Sequence, residues 1–294
     1  SNQSFSRHFM QKLFNKILVP VDFSKISVRA LEKAVEMANE YHCDIYLLHV
    51  VTVSPFAVVA MTEGHWVLPY DHIDNRHQLE QELENLAAPY LPMLEEGRKM
   101  HNYVVKGLWN DVIIDFVQEH KIDLILVGQR ENFFRKRKML IDANAVAERT
   151  FIPVITIPGN RKLVKLYSIV IPVTDFLPVK KLMYGVYMAQ HHNTTIKLLG
   201  IEYEANPAYN RKVDHYLKKS FQLIRDNCQV PVDIATVVGA SVADAVNEYA
   251  HRNAADLVIV NPGRQSRMPG IVSLLTGSVL QKYSIPPVLT ISAV

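Results

Sequence analysis

The sequence predicts an α/β protein of two tandem, doubly wound domains, each with a mostly parallel, Rossmann-like sheet of five strands. Three observations predict it. First, the chain repeats itself: Ile17-Leu-Val-Pro-Val-Asp-Phe23 returns as Ile169-Val-Ile-Pro-Val-Thr-Asp175. Asp123-Leu-Ile-Leu-Val-Gly128 returns as Asp256-Leu-Val-Ile-Val-Asn261, and Pro153-Val-Ile-Thr-Ile157 as Pro287-Val-Leu-Thr-Ile291, in the same order. So long a period means two copies of one domain, not a solenoid of short units. Second, these runs are short and continuously apolar, which suits strands buried on both faces of a parallel sheet. Third, they alternate with segments of helical spacing, as βαβ units do.

The elements follow in order. After strand Ile17–Val21 come Asp22 and Ser24, then apolar positions Val28, Leu31, Val35 and Ala38 at helical spacing. Asp44–Val51 is the second strand, and Gln78–Leu94 reads as a helix with Glu80, Glu82 and Glu84 on its wet side. Tyr103–Val105 is a third strand ending at Gly107, Asp111–His120 an amphipathic helix, and Leu124–Val127 a fourth strand. Ala143–Arg149 reads as a helix and Val154–Ile157 as the fifth strand. In the second copy the strands are Ile169–Val173, Thr195–Ile201, Ile234–Val238, Leu257–Val260 and Val288–Ile291. Its helices are Lys180–His191, Tyr209–Cys228 and Val242–Arg252. Domain boundaries at 15–159 and 167–294 follow, with Arg161–Leu166 as linker. The first copy is longer around 52–75, an insertion with prolines at 55 and 69 that reads as a plain loop, with a lid or a dimer contact as the other readings.

With 49% hydrophobic and 21% charged residues, the composition is that of an ordinary globular protein. A formal charge of +3 gives no electrostatic footprint for nucleic acid. Two cysteines, Cys43 and Cys228, fit neither a disulfide framework nor a zinc site. No apolar run reaches membrane-spanning length and no signal peptide is visible, so a cytoplasmic protein is expected. The histidines, among them His65, His72, His77 and His191-His192, lack a metal-ligand spacing, and no metal is expected. There is no Walker loop, no nucleophile elbow and no visible acid–base pair.

In an open α/β sheet, ligands bind beyond the carboxyl ends of the strands, at the point where strand order reverses. Asp22 lies there, placed to accept hydrogen bonds from a ligand. It equally fits an N-cap or Asx-turn for the next helix, and the two roles are compatible. Thr174 holds the matching place in the second copy, with Asp175 one step late. Gly128 and Gly263 lie just past the fourth strands, where a glycine lets a phosphate approach the backbone or simply makes a turn. Gly277-Ser278 offers backbone N–H groups and a hydroxyl. The basic run Arg135–Lys138 reads as a solvated loop, or as side-chain cations for a phosphate.

Val19-Pro-Val-Asp22-Phe-Ser24, Gly107, Asp123–Gly128 and Pro153–Ile157 together resemble a universal stress protein domain. Ile171–Asp175, Gly239, Asp256–Val260 and Pro287–Ile291 resemble a second. The resemblance spans about residues 15–294, a tandem member whose two domains pack as a pseudo-dimer through their fifth strands. It implies a stress-response regulatory protein, and adenine nucleotide (ATP or ADP) as the ligand. It further implies adenine recognition at the first strand's aspartate and nearby backbone, and ribose and phosphates on a Gly-x2-Gly-x9-Gly-Ser/Thr loop after the fourth strand. Carried onto this chain, Pro20, Val21, Asp22 and Val50 face the base in the first copy, and Val173 and Thr174 in the second. Gly128 and Arg130 face phosphate in the first copy; Gly263, Gly277 and Ser278 do so in the second. Neither copy completes the loop. Position 131 is Glu, no Gly-Ser precedes Pro153, Asn261 replaces the first glycine, and Gly277 lies 14 residues past Gly263. A nucleotide-free interaction module is therefore the second expectation. Slow ATP hydrolysis is the third, without a visible base. Pairing with another copy of the chain is a further expected contact.

Overall fold

A computed structural model describes residues 12–52, 75–129, 141–158, 165–191, 193–239, 241–262 and 286–292. The first copy runs β1 (Lys16–Pro20), α1 (Lys25–Tyr41), β2 (Asp44–Thr52), α2 (Arg76–Ala87), β3 (Met100–Gly107), α3 (Trp109–His120), β4 (Leu124–Gln129), α4 (Ala143–Thr150) and β5 (Val154–Pro158). The second runs β6 (Ser168–Val173), α5 (Val179–Gln190), β7 (Thr195–Glu202), α6 (Pro207–Asn227), β8 (Val232–Val238), α7 (Val242–Arg252), β9 (Leu257–Val260) and β10 (Val288–Thr290). Each copy thus supplies five strands, as the sequence predicts.

The chain forms two compact units. One comprises residues 14–128 with 133–142; the other holds 143–294 with 1–13 and 129–132. In the first unit β1 lies between β2 and β4, parallel to both, and β3 extends the sheet beyond β2. In the second, β6 lies between β7 and β9, again parallel, with β8 outside β7. There β10 pairs parallel with β9 and antiparallel with β5. That antiparallel ladder sets Val154 opposite Thr290, and β5 is counted with the second unit.

Burial explains the uninterrupted apolar runs. Ile17, Leu18 and Val19 are all at 0% exposure, as are Ile169, Val170 and Ile171. Neighbouring residues point to opposite faces, so both faces are covered, and each such side chain contributes roughly 1.5–3 kcal/mol. Helix α1 starts at N-cap Ser24, whose side chain accepts from the Ser27 N–H, and it ends at His42 in a left-handed conformation. Helix α2 is shorter than its periodicity suggests. It stops at Ala87 because Pro89 lacks an N–H and its ring crowds the carbonyl four residues back; a 3-10 turn, Leu91–Met93, follows.

The motif aspartates Asp123 and Asp256 clamp the amino ends of the central strands. Asp123 accepts from the N–H groups of Asn15 (2.9 Å) and Lys16 (3.0 Å), and Asp256 from those of Tyr167 (2.9 Å) and Ser168 (3.0 Å). Each carboxylate satisfies two N–H groups at the mouth of a strand. Glycines 107 and 239, which close β3 and follow β8, are equally matched. A Cβ on Gly107 would lie 2.5 Å from the Val112 side chain, and one on Gly239 2.9 Å from the Ala245 Cβ. In both copies the next helix is seated against a glycine.

Candidate functional site at the carboxyl edges

In the first copy, strand order reverses between β1, paired to β2 on one side and β4 on the other. The carboxyl ends of these three strands therefore share one edge of the sheet, the usual ligand position. Val21 is fully buried, donating its N–H to the Leu48 carbonyl at 2.9 Å, and Val50 is buried at 2%. Asp22 is half-buried, and its Oδ1 accepts from both the N–H (3.1 Å) and the hydroxyl of Ser24. Its own N–H donates to the Ser27 hydroxyl at 3.3 Å, which in turn donates to the Ser24 carbonyl at 3.0 Å. Asp22 thus makes an Asx-type turn that holds the N-cap serine, so the turn reading of this residue is realised.

Phe23 takes φ +60°, and its ring lies 4.7 Å from that of His49. The His49 Nδ1 is 2.8 Å from the Val21 carbonyl oxygen, and the Trp109 ring meets His49 edge-on at 6.1 Å. Gly128, next to last in β4, lies against the first turn of α1: a Cβ there would lie 2.5 Å from the Ile26 carbonyl oxygen. This close approach alone requires glycine at 128.

The second copy is built differently at the same edge. Thr174 is buried at 6%, just beyond β6. Gly200 stands opposite Val173, the register position that His49 holds beyond the Pro20–Leu48 pair. A Cβ on Gly200 would meet Leu217 at 3.0 Å and Val213 at 3.2 Å, so α6 leans on the strand where a side chain would project. Beyond β7, Asn210 clamps Tyr203, accepting from its N–H at 3.0 Å and donating to its carbonyl at 2.9 Å. The Tyr203 ring lies 5.0 Å from that of Tyr209, whose hydroxyl pKa is pushed up to about 12 by burial and then by Tyr203 and Asp175.

Lys181 is the third residue of α5, where α1 has Ser27. It is only 1% exposed and donates to the Pro172 carbonyl at 2.6 Å, with the Phe176 ring 5.9 Å away. Burial lowers its pKa to about 7. Asn261, in the place of Gly128, donates through Nδ2 to the Ile291 carbonyl at 2.8 Å. Sequence reading missed both His49 and Lys181. His49 sits in an apolar strand beside Val50, and Lys180-Lys181 looks like a solvated pair. The available signal was helical phase, since Lys181 lies four residues before Gly185 and seven before Met188, both buried.

The expected phosphate residues Arg130, Gly263, Gly277 and Ser278 lie outside the described residues, as do Arg135–Lys138, His65, His72 and positions 53–74 of the insertion. Among the described residues no group of three or more His, Cys, Asp or Glu could hold a metal ion, and no helix is long and apolar enough to cross a membrane. Cys43 and Cys228 are both thiols rather than halves of a disulfide.

A profile of the Universal stress protein family matches residues 13–158. A universal stress protein of Methanocaldococcus jannaschii is 31% identical over 157 residues, covering 52% of this chain and 86% of that protein. The chain belongs to the universal stress protein family. A universal stress protein of Bacillus subtilis is 30% identical over 133 residues, covering 44% of this chain and 87% of its own length. A crystal structure of a universal stress protein from Archaeoglobus fulgidus superposes with a TM-score of 0.66 at 14% identity, covering 95% of this chain and 98% of that one. That superposition carries the fold across both copies of this universal stress protein.

Proposed function

We propose that this universal stress protein is a stress-response regulator that holds an adenine nucleotide in at least one copy. The observation that carries the reading is the shared carboxyl edge at the strand-order reversal, present in both copies. There Pro20, Val21, Asp22 and Val50, or Val173 and Thr174, would face the base. Gly128 and Arg130, or Gly263, Gly277 and Ser278, would face phosphate. The domain division at 15–159 and 167–294 belongs to the same reading, one nucleotide-type domain per repeat. A second reading, a nucleotide-free interaction module, is favoured by one observation: Asp22 and the Val21 carbonyl in the first copy already have partners in Ser24 and His49. Titration calorimetry with ATP and ADP, repeated on Asp22→Ala and Ser278→Ala, separates them. Binding that Ser278→Ala or Asp22→Ala abolishes supports the nucleotide reading and assigns the copy. No heat from the unmodified protein sinks it in favour of the module.

A further inference from the structure

The sheet ends differently in the two copies. Among the described residues β3 pairs with β2 alone and β8 with β7 alone, so each is an edge strand. Ile17 pairs with Ile45 and that with Met100; Ile169 pairs with Ile196 and that with Val232. Asn102 and Ile234 are therefore equivalent positions, as are Lys106 and Val238. Asn102 and Lys106 are exposed, and a lysine on an edge strand wards off a further strand. In the second copy the same positions hold Ile234 at 47% exposure and Val238 at 58%. Both lie on the face that carries α6. A Cβ on Gly200, the partner of Thr236, would meet Leu217, Val213 and the Thr236 hydroxyl, and Ile234 and Val238 share the face of Thr236. Their backbone also points outward. The Pro231 carbonyl accepts from Ile196 and the Gly239 N–H donates to Glu202, so the odd-numbered residues of β8 bond β7. Ile234, Thr236 and Val238 turn their N–H and C=O groups to the open edge.

Helix α6 adds charge beside this edge. It carries Arg211, Lys212, Lys218, Lys219 and Arg225, all exposed, against Asp214 and Asp226. Its counterpart α2 has Arg76 against Glu80, Glu82 and Glu84. Tyr209 lies on the β6 side of α6, since Asp175, just beyond β6, adds to the burial that raises its hydroxyl pKa. Lys218 and Arg225 come about half a turn round the helix from Tyr209, on the flank towards β8. Lys218 pairs with Asp214 at 2.7 Å, and the Arg225 guanidinium lies 5.8 Å from the centre of the Phe221 ring.

We propose that the β8 edge of the second copy is a docking site for an extended acidic peptide, which joins the sheet as a further strand beside α6. Backbone hydrogen bonds hold such a strand, Ile234 and Val238 take its apolar side chains, and the α6 cations take carboxylates at its ends. Charge decides against a second copy of the chain as occupant. Antiparallel β8–β8 pairing about a two-fold axis would set α6 beside its own copy, cation against cation. The β3 edge of a second copy is guarded by Lys106. Nucleotide plays no part in this docking.

The test is fluorescence anisotropy of labelled Glu-Glu-Val-Thr-Val-Thr-Val-Glu-Glu titrated with the full chain, beside a counterpart peptide with lysine for every glutamate. The acidic peptide is expected to bind saturably, less tightly as salt rises, and the basic one not at all. Ile234→Asn with Val238→Lys gives β8 the residues of β3 and is expected to weaken binding roughly tenfold or more. Both positions are exposed, so the fold is kept. Lys218→Glu with Arg225→Glu is expected to weaken it roughly fivefold or more. Hydrogen exchange should slow at the amides of Ile234, Thr236 and Val238 when the peptide is bound. Absence of saturable binding, or binding that the β8 substitutions leave unchanged, overturns the proposal. A single-stranded oligothymidylate that binds as tightly without protecting those amides makes the surface a cation patch for nucleic acid, and also overturns it. Sedimentation velocity covers the remaining occupant: a dimer of the unmodified chain that the β8 substitutions dissolve assigns the edge to a second copy and overturns the acidic peptide.

Discussion

At their amino edges the two copies are built alike, and at their carboxyl edges they are not. Asp123 and Asp256 each cap the N–H groups that open the central strand, with distances that agree within 0.1 Å. At the other end, Asp22, Ser24 and Ser27 form a hydroxyl-carboxylate network in the first copy, while Thr174 and a buried Lys181 stand in the second. His49 faces Gly200 across the repeat. The difference teaches that the framework tolerates one solution for holding its sheet together and several for finishing the edge where ligands bind.

Five substitutions break or sharpen this comparison. The largest effect is expected at a glycine of the edge that is nonetheless structural. Gly128→Val drives a branched side chain into the Ile26 backbone and should cost about 3 kcal/mol in a denaturant titration, as overpacking does. An unchanged midpoint would show that α1 shifts freely.

Lys181→Met should stabilise the protein at pH 7. The amine titrates near 10.5 unfolded but about 7 folded, because burial disfavours its charge. Between those values the unfolded state binds more protons, so stability rises with pH across that window; below pH 7 the full penalty remains. That penalty, less the bond lost from Pro172, predicts a gain of about 2–3 kcal/mol near pH 7 that disappears towards pH 10. Calorimetric melting of both proteins across that range checks it, and a gain that does not depend on pH would refute the assignment.

Asp256→Ala should cost about 2 kcal/mol, since two backbone N–H groups lose a charged acceptor, and Asp123→Ala should match it. A marked inequality between the two would contradict the likeness of the amino edges. Ser24→Ala removes the N-cap of α1 and should cost about 1 kcal/mol by chemical denaturation.

The sequence displays its strands because burial on both faces leaves no room for polar residues, so Ile17–Val21 and Ile169–Val173 are plain to read. It displays the repeat for the same reason. The aspartates 123 and 256 stand out as motif residues, yet their task is legible only once Asn15 and Tyr167 are known to lie beside them. Gly128 was legible as a glycine at a strand's carboxyl end; that the first turn of α1 also leaves no room for a side chain there needed the position of Ile26. His49 and Lys181 were hidden because each takes its meaning from a neighbour distant in sequence or from burial that composition opposes. A lysine pair predicts solvent, and only packing reveals one member turned inward. The grouping of β5 with the second unit follows from an antiparallel ladder with β10, which no local pattern announces.

Equilibrium dialysis of the unmodified chain against labelled ATP, counting sites at saturation, tests most directly whether two like scaffolds carry unlike edges. The account predicts a single site per chain, abolished by one of Asp22→Ala and Ser278→Ala and untouched by the other. Two equal sites would contradict the unlike carboxyl edges, and none would contradict nucleotide binding.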